Sequence, residues 1–386
     1  MTSVRSFFLV CWLVVTLSTL PTRAWLNDTV SPIYPNKTTA VLEISDNFYG
    51  VRNVSYWVTD DGLAVIDGDV IYGTLEDLVA HNHTGQPPTN MTRRAHSIFR
   101  NENPWASATI TYNFNSAATQ RLLGSIVSGA IANWKATAPY LDFKQVANSA
   151  TGQNGVLTIK APSCGGGCNS PIGFFNSPMT MNLQQNCPGS GTCGIVQATH
   201  EFGHALGLIH EHQRPDREKL VHYNCANLTP TCNNMPAGKT CCSSGIPAGC
   251  CTLASNFNVL SGFEDDATGA YDIKSIMQYV ASAFALPGTN TLTSNAPGVV
   301  VPVSAPNAIT TTDSNRMCKI YSGQCAKARS CTLSGCPSKC VPVKRCNKIG
   351  ICGQRPPPPC CFPVSVQTCN SKRAACTKKG CDFLKN

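Results

Sequence analysis

The stretch His200-Glu201-Phe202-Gly203-His204-Ala205-Leu206-Gly207-Leu208-Ile209-His210 follows the pattern H-E-x-x-H-x-x-G-x-x-H, in which five positions are specified. Residues four apart lie above one another on a helix, so His200 and His204 could present two imidazoles to one metal ion. Gly207 can adopt the backbone conformation that ends a helix without a Cβ clash. His210 could then return as a third ligand, and three protein ligands with an open position are typical of a catalytic zinc site.

Glu201 directly follows the first of these histidines, from where its carboxylate could reach a water molecule at the metal. The alternative is coincidence, because His and Glu also occur on helices as solvated or packed residues. The added glycine and third histidine favour the zinc site, and the stretch uses three of only eight histidines in the chain. His212 and His222 are expected to be surface residues or neighbours of the site rather than ligands.

The N-terminus has the three parts of a secretory signal peptide. Arg5 supplies positive charge, the run from Phe7 to Leu20 is apolar, and Thr22-Arg23-Ala24 has small residues at its first and last positions. A run of fourteen residues is short for a membrane span. We therefore expect residues 1–24 to be a signal peptide and the protein to be secreted, extracellular and not membrane-spanning.

Cysteine usage and sequons fit an exported protein. Of the 23 cysteines, only Cys11 lies before Cys164, and the remaining even number favours full pairing in an oxidising compartment. Six N-x-S/T sequons indicate glycosylation of exposed chain. These sequons are at Asn27, Asn36, Asn53, Asn82, Asn90 and Asn227.

Residues 25–94 form a distinct segment. They contain no cysteine and five of the six sequons, and they end on the dibasic pair Arg93-Arg94 after a proline-containing stretch. We interpret this segment as a propeptide and predict cleavage between Arg94 and Ala95. A dibasic pair can also be no more than solvated charge in a loop.

The following segment alternates between strand and helix patterns. Ala108 to Phe114 has apolar side chains at every second position, as a half-buried strand does. Thr119 to Trp134 has the spacing of an amphipathic helix, Val156 to Lys160 predicts another strand, and Gly194 to Ile209 predicts the helix with the histidine motif. Because loop-rich chain follows, the predicted fold class is α+β, with a cleft between two subdomains.

Two later segments are rich in cysteine. Residues 225–251 contain six, which permits three internal disulfides whose connectivity the sequence does not determine. A zinc finger is the weaker alternative, because Cys-Cys doublets differ from C-x-x-C metal sites. Residues 326–386 contain ten cysteines and few apolar residues, which predicts a separate module stabilised by disulfides.

This C-terminal module is strongly basic. Its twelve Lys or Arg residues and one acid, Asp382, give it a net charge of +11, whereas the whole chain carries +9. Such a module could bind an acidic glycan or surface, or its charges could simply be solvated, and both interpretations stay open. Nucleic acid is not expected as a partner of an exported chain that has no recognised binding motif.

Two further stretches extend the histidine motif. His210 is followed by Glu211-His212-Gln213-Arg214-Pro215-Asp216-Arg217, and Ser275-Ile276-Met277-Gln278-Tyr279 comes later. Together with the motif, they resemble the astacin family of metzincin zinc endopeptidases over about residues 60–325. The resemblance implies a metzincin-like catalytic domain at 95–325, one catalytic zinc ion, and hydrolysis of peptide bonds in protein or peptide substrates.

The resemblance also implies a role for each residue that matches the family's catalytic motif. His200, His204 and His210 match the zinc ligands, and Glu201 matches the general base. Tyr279 matches a tyrosine that stabilises the transition state.

Three other matching residues have supporting roles in the family. Met277 matches the Met-turn residue beneath the metal, and Glu211 matches the acid that meets the new N-terminus after activation. Asp69 resembles the propeptide aspartate that blocks the zinc of the latent form, although it could also belong to an ordinary Asp-Gly turn. Gln278 replaces the family's usual histidine, and because that residue is not a ligand, the replacement does not call activity into question.

The cysteines depart from the family pattern. Cys168 and Cys187 are the disulfide candidates that match it, whereas Cys164 and Cys193 are additional. The family's first catalytic-domain cysteine has no counterpart here, so Cys325, which resembles its partner, must pair differently, for example within the tail.

The sequence thus predicts a secreted zinc endopeptidase made as a zymogen. The main alternative is a binding protein whose functional part is the basic tail, with the metal domain as a scaffold. A disulfide-stabilised matrix protein is a third interpretation, but it leaves the complete set of catalytic positions unexplained.

Overall fold

The computed structural model describes residues 39–46, 50–82, 104–188, 191–260, 269–335, 345–346 and 352–353. Several predictions lie outside these residues. They are the signal peptide, the sequons at Asn27, Asn36 and Asn90, the cleavage point at Arg94 and Ala95, and most of the basic module.

The N-terminal part is an antiparallel sheet of four strands, which we call the prosegment sheet because it lies in the predicted propeptide. Its strands follow the chain order and are β1 (Ala40–Asp46), β2 (Gly50–Val58), β3 (Leu63–Ile66) and β4 (Val70–Thr74). Helix α1 (Leu75–Ala80) follows and begins at Thr74, whose hydroxyl accepts a hydrogen bond from the Asp77 amide. The apolar core of the sheet also includes Ile172 of the next domain, so the two parts are packed together.

The next domain contains a five-stranded mixed sheet in the order β6-β5-β7-β9-β8. Only β8 is antiparallel to its neighbour. The strands are β5 (Thr109–Phe114), β6 (Asp142–Gln145), β7 (Leu157–Lys160), β8 (Cys168–Asn169) and β9 (Met179–Leu183). The strands predicted at Ala108–Phe114 and Val156–Lys160 are confirmed within one residue.

Two helices pack beside this sheet. Helix α2 (Ala117–Thr137) is longer than the apolar spacing predicted, because Ser116 caps its N-terminus through the amide of Thr119. Helix α3 (Ile195–Ala205) is shorter than the predicted Gly194–Ile209. It ends early because Gly207 has a φ of 110°, a left-handed conformation that glycine adopts without a Cβ clash.

The chain after α3 is loop-rich, as predicted. Its regular elements are β10 (Val221–Tyr223), β11 (Leu292–Ser294), α4 (Thr311–Ile320), α5 (Ser322–Gly335), β12 (Arg345–Cys346) and β13 (Cys352–Gly353). Strand β10 pairs with β11, and β12 pairs with β13. Helix α5 runs across the predicted domain boundary between residues 325 and 326.

The described residues contain six disulfides. All six cysteines of residues 225–251 pair within that segment, and Cys168 and Cys187 both form disulfides, but not with each other. Cys325 pairs with Cys318, which precedes the tail. The pairs are Cys164–Cys187, Cys168–Cys193, Cys225–Cys242, Cys232–Cys250, Cys241–Cys251 and Cys318–Cys325.

The domain contains two separate apolar cores. One surrounds the five-stranded sheet and includes Phe202 and Met277, and the other is built from the later loops and includes Phe257 and Tyr279. This arrangement confirms the α+β class. Among the described helices, none combines the length and the hydropathy needed to cross a membrane.

Candidate metal centre

The three histidines of the motif converge on one point. His200 and His204 lie one turn apart on α3, and His210 follows the turn at Gly207. The Nε2 atom of His210 lies 3.3 Å from Nε2 of His200 and 3.2 Å from Nε2 of His204. The structure therefore brings together the three rings that the spacing argument singled out.

Backbone carbonyls fix the orientation of two of these rings. Nδ1 of His200 lies 2.8 Å from the carbonyl oxygen of Ile276, and Nδ1 of His204 lies 2.8 Å from that of Leu208. A carbonyl only accepts, so each Nδ1 carries the proton and each Nε2 has a free lone pair. Such second contacts are typical of histidines that bind metals.

The donor set fits a zinc ion. Burial lowers the pKa of His204 to about 4, so its imidazole stays neutral, which is the form that binds a metal. Nitrogen lone pairs that face one another at 3.2–3.3 Å repel unless a cation lies among them. Neutral imidazoles are preferred zinc ligands.

Asp69 of the prosegment sheet completes the cluster. Its Oδ1 lies 2.9 Å from Nε2 of His210 and 3.5 Å from that of His204, and its Oδ2 lies 3.5 Å from Nε2 of His200. The four side chains place their ligand atoms within 4.8 Å of one another. Burial alone would raise the pKa of Asp69, but its contacts with the three imidazoles bring that pKa well below its ordinary value.

The backbone around Asp69 is held from both sides. Its carbonyl accepts a hydrogen bond from the Ser170 amide (3.1 Å), and the Ile71 amide donates to the Ser170 carbonyl (3.0 Å). The preceding Asp67 has a φ of 50° and forms a two-point ion pair with Arg52 at 3.0 and 2.9 Å. These contacts fix the turn between β3 and β4, which positions the Asp69 side chain next to the histidines.

Glu201 is buried beside the histidines, with 2% of its surface exposed. Its Oε2 atom has no hydrogen-bond partner within the described part of the chain. Burial and the nearby Asp69 carboxylate raise the pKa of Glu201 well above its ordinary value. Glu201 lines the same small cavity as Asp69, His200 and Tyr279.

Tyr279 borders the cluster from the second apolar core. Its ring centroid lies 4.4 Å from that of His210, and its hydroxyl donates a 2.7 Å hydrogen bond to the carbonyl oxygen of Asp67. The prosegment sheet therefore engages both the histidines and this tyrosine.

Met277 lies buried against α3, where Gly203 leaves room for it. The Met277 turn is held by Asp313, which accepts hydrogen bonds from the Ser275 hydroxyl (2.5 Å) and the Ile276 amide (3.0 Å). A Cβ atom added at Gly203 would lie 2.6 Å from Sδ of Met277. The motif thus needs a small residue at position 203 as well as at position 207.

We expect Gly203→Ala to lower the thermal stability of the protein. The methyl group would displace the buried Met277 side chain, and such overpacking costs about 1–3 kcal/mol. Calorimetric melting of the Gly203→Ala protein would measure this loss. Gly124→Ala is the control, since a Cβ at that helical position meets nothing within 4 Å; equal melting temperatures for both variants would contradict the prediction.

The sequence left open whether His212 is a surface residue or a neighbour of the site. It is fully buried, its Nε2 lies 2.9 Å from the carbonyl oxygen of Asn256, and its ring stacks on Tyr279 with centroids 4.1 Å apart. Burial lowers the pKa of His212 well below its ordinary value. His212 is therefore a neighbour of the site, and His222 is an exposed residue that pairs with Glu218, as the two alternatives expected.

Glu211 is buried and paired with Arg316. Nη2 of Arg316 donates to Oε1 of Glu211 at 2.8 Å, Nη1 contacts Oε2, and the Asp272 amide donates to Oε1 at 2.7 Å. Burial raises the pKa of Glu211, although Arg316 opposes this shift. The predicted contact with a new N-terminus at Ala95 involves residues outside the described chain and stays a prediction.

Three of the predicted glycosylation sites lie in the described chain. Asn53 is exposed, and Asn82 and Asn227 are partly exposed. The side-chain nitrogen Nδ2 of Asn227 donates a 2.7 Å hydrogen bond to the backbone carbonyl oxygen of Asn290.

Comparisons with known proteins point to one family. Residues 97–236 match the peptidase family described as Astacin. Zinc metalloproteinase nas-31 of Caenorhabditis elegans is 29% identical over 127 residues, which are 33% of this chain and 18% of that protein. The bone morphogenetic protein 1 homolog of Strongylocentrotus purpuratus is 29% identical over 189 residues, covering 48% of this chain and 25% of the relative.

The chain therefore spans a quarter or less of the length of these two relatives. Among solved structures, the hatching enzyme zinc-protease HCE-1 of Oryzias latipes is 22% identical, with a TM-score of 0.44, over 60% of this chain and 98% of that one. The matched segment contains the three histidines and Glu201. Over this segment the chain is therefore similar to the astacin peptidase family.

Proposed function

We propose that the protein is a zinc-dependent endopeptidase, secreted and made as a zymogen. The observation that carries this proposal is the convergence of three imidazole Nε2 atoms, with that of His210 within 3.3 Å of the other two, next to the buried carboxylate of Glu201. His200, His204 and His210 would hold the ion.

The roles of the surrounding residues follow from their positions. When bound, zinc supplies a positive charge that acidifies water and polarises a peptide carbonyl. Glu201 accepts a proton from the attacking water and returns it to the leaving amine. Tyr279, once its hydroxyl is free of Asp67, donates a hydrogen bond to the oxyanion of the transition state.

Contacts of the prosegment sheet support the zymogen part of the proposal. Asp69 contacts all three histidines, and the carbonyl of Asp67 accepts a hydrogen bond from the Tyr279 hydroxyl. The backbone of Ser170 is hydrogen-bonded to the sheet through both its amide and its carbonyl. We propose that Asp69 blocks the zinc until the chain is cut between Arg94 and Ala95 and the prosegment sheet then dissociates. The substrate cannot enter while these groups are engaged.

An activity assay tests the enzyme proposal directly. The full chain would be incubated with casein before and after limited proteolysis, with and without a zinc chelator, while zinc content is measured. We expect hydrolysis only after proteolysis and its loss with the chelator, and N-terminal sequencing of the active product should begin at Ala95. An active product that retains residues 25–94 would exclude the zymogen, and hydrolysis by metal-free protein would exclude the zinc mechanism.

Replacing Tyr279 by phenylalanine should lower kcat by about 10²–10³, because one donor to the oxyanion is lost. The ring, its stack on His212 and the zinc content should be unchanged. Peptide hydrolysis by the activated variant measures the effect. Tyr223→Phe is the matched control, since the Tyr223 hydroxyl is buried without a hydrogen-bond partner among the described residues; equal activity of both variants would remove Tyr279 from the mechanism.

The basic module supports a second, compatible role. Its net charge of +11 over residues 326–386 would attract an acidic glycan or an anionic surface. Retention of the full chain on heparin that falls as salt is raised would support this role. Retention that is independent of salt would contradict an electrostatic contact.

A further inference from the structure

The prosegment sheet contacts the main domain at a second place, apart from the histidines. Strand β2 lies against the 3₁₀ helix Thr252–Phe257, which follows the cysteine-rich segment. The Ser55 amide donates to the hydroxyl of Ser255 at 2.6 Å, and the Asn258 side chain donates to the Asn53 carbonyl at 3.2 Å. The 3₁₀ helix and Asn258 thus bind main-chain groups of an extended strand.

This part of β2 offers a free edge. Strand β1 pairs along β2 from Gly50 to Tyr56, whereas β3 pairs only with Tyr56–Val58. Ser255 and Asn258 therefore occupy the position of a neighbouring strand. Because the bonded amide and carbonyl belong to the backbone, this mode of binding depends little on the bound sequence.

The contact is directional rather than apolar. A cavity of about 480 Å³ remains between β2 and the 3₁₀ helix. The side-chain contact from Ser55 is also polar, since its hydroxyl donates to Oδ1 of Asn256 at 3.1 Å. Hydrogen bonds, and not close packing, hold the strand at this site.

The 3₁₀ helix is anchored to the main domain. The disulfide Cys241–Cys251 precedes it, and Arg217 donates a 2.6 Å hydrogen bond to the Phe257 carbonyl. His212, which stacks on Tyr279, bonds the carbonyl of Asn256. The helix would therefore stay beside the catalytic site after the prosegment sheet has left.

Departure of the sheet would expose the polar groups that now bind β2. Asn256 is 1% exposed, and its Nδ2 already has no hydrogen-bond partner among the described residues. Losing Ser55 would also free the Oδ1 atom of Asn256, which water would then solvate. An extended polypeptide laid along the same edge would restore these contacts.

We propose that the 3₁₀ helix Thr252–Phe257 together with Asn258 forms an exosite for protein substrates. It binds an extended segment of the substrate through its main chain once the prosegment sheet has left. This inference rests on the proposed endopeptidase function, and it names long, unfolded polypeptides as the favoured substrate class.

The test compares long and short substrates with the activated, zinc-loaded full chain. Asn258→Ala and Ser255→Ala should each raise KM for unfolded casein about fivefold, the effect of one lost hydrogen bond. KM for a four-residue fluorogenic peptide should stay unchanged, and so should kcat. Asn290→Ala, at an exposed asparagine outside the proposed exosite, is the control and should alter neither KM.

A second measurement uses a synthetic peptide of residues 50–58, which lacks Asp69. It should inhibit casein cleavage but not cleavage of the four-residue peptide, and Asn258→Ala should weaken that inhibition. Equal changes of KM for both substrates, or no change for either, would overturn the exosite. Cleavage of the short peptide by the unsubstituted enzyme tests the endopeptidase proposal separately.

Discussion

Glu201→Ala should abolish most peptide hydrolysis while the protein still binds zinc. The three imidazoles that would hold the ion remain in the variant, and only the group that transfers the proton is removed. General acid–base catalysis contributes about 10²–10⁴ in rate, so kcat/KM should fall by that factor. Hydrolysis of a fluorogenic peptide and zinc content, measured on the same activated sample, separate a chemical defect from metal loss.

The position of Glu201 explains why the variant should still fold. The carboxylate is buried, its Oε2 lacks a hydrogen-bond partner in the described chain, and burial with the Asp69 charge raises its pKa. Alanine at this helical position removes an unfavourable buried group, so the melting temperature should not decrease. Glu218→Ala, at an acid whose side chain is 47% exposed, should keep full activity; a zinc-loaded Glu201→Ala enzyme that kept most activity would refute the mechanism.

Asp69→Ala should activate the uncut chain. Asp69 contacts each of the three histidines, and a cation held by these rings would bind its carboxylate by about 1.5–3 kcal/mol, as for a hydrogen bond to a charged group. Losing this contact should raise the fraction of uncut chains whose metal site is open to substrate. The rate of hydrolysis before processing should rise with that fraction, about 10- to 100-fold. Arg94→Ala would be included in every sample to prevent cleavage at the predicted point.

The control for Asp69→Ala is Asp61→Ala on the same sheet. Asp61 is more exposed and pairs with Lys160, 2.5 Å away, so its loss should leave the uncut chain latent. Activation should be incomplete even in Asp69→Ala, because Asp67 and Ser170 still hold the prosegment sheet in place. An uncut Asp69→Ala chain as inactive as Asp61→Ala would show that the carboxylate does not maintain latency.

The metal centre could be predicted where it depends on local geometry. The i, i+4 spacing on one helix and a glycine that ends it are enough to bring His200, His204 and His210 together. The length of α3 was overestimated, because the apolar pattern continues to Ile209 although the backbone leaves the helix after Ala205. An apolar pattern indicates which residues are buried and not whether they are helical, and the buried residues here continue into the turn that follows α3.

Contacts between distant segments were predicted only where the family resemblance supplied them. Asp69 lies 131 positions before His200, and nothing in its Asp-Gly context requires it to meet the histidines. His212 was not recognised as a neighbour of Tyr279, since stacking depends on how two loops cross. Disulfide partners were likewise undetermined, because the number of cysteines constrains how many pairs form but not which.

The ion pair between Arg52 and Asp67 lies wholly within the prosegment sheet, as do the strands that present Asp69. A cut after Arg94 would therefore sever none of the contacts described for this sheet. Before the cut, the sheet is an inhibitor covalently linked to the enzyme. After the cut, it is a separate fragment held only by non-covalent contacts, so its dissociation depends on dilution rather than on the cut itself. Freshly processed enzyme should consequently gain activity when diluted, and should lose it again when the detached fragment is added back.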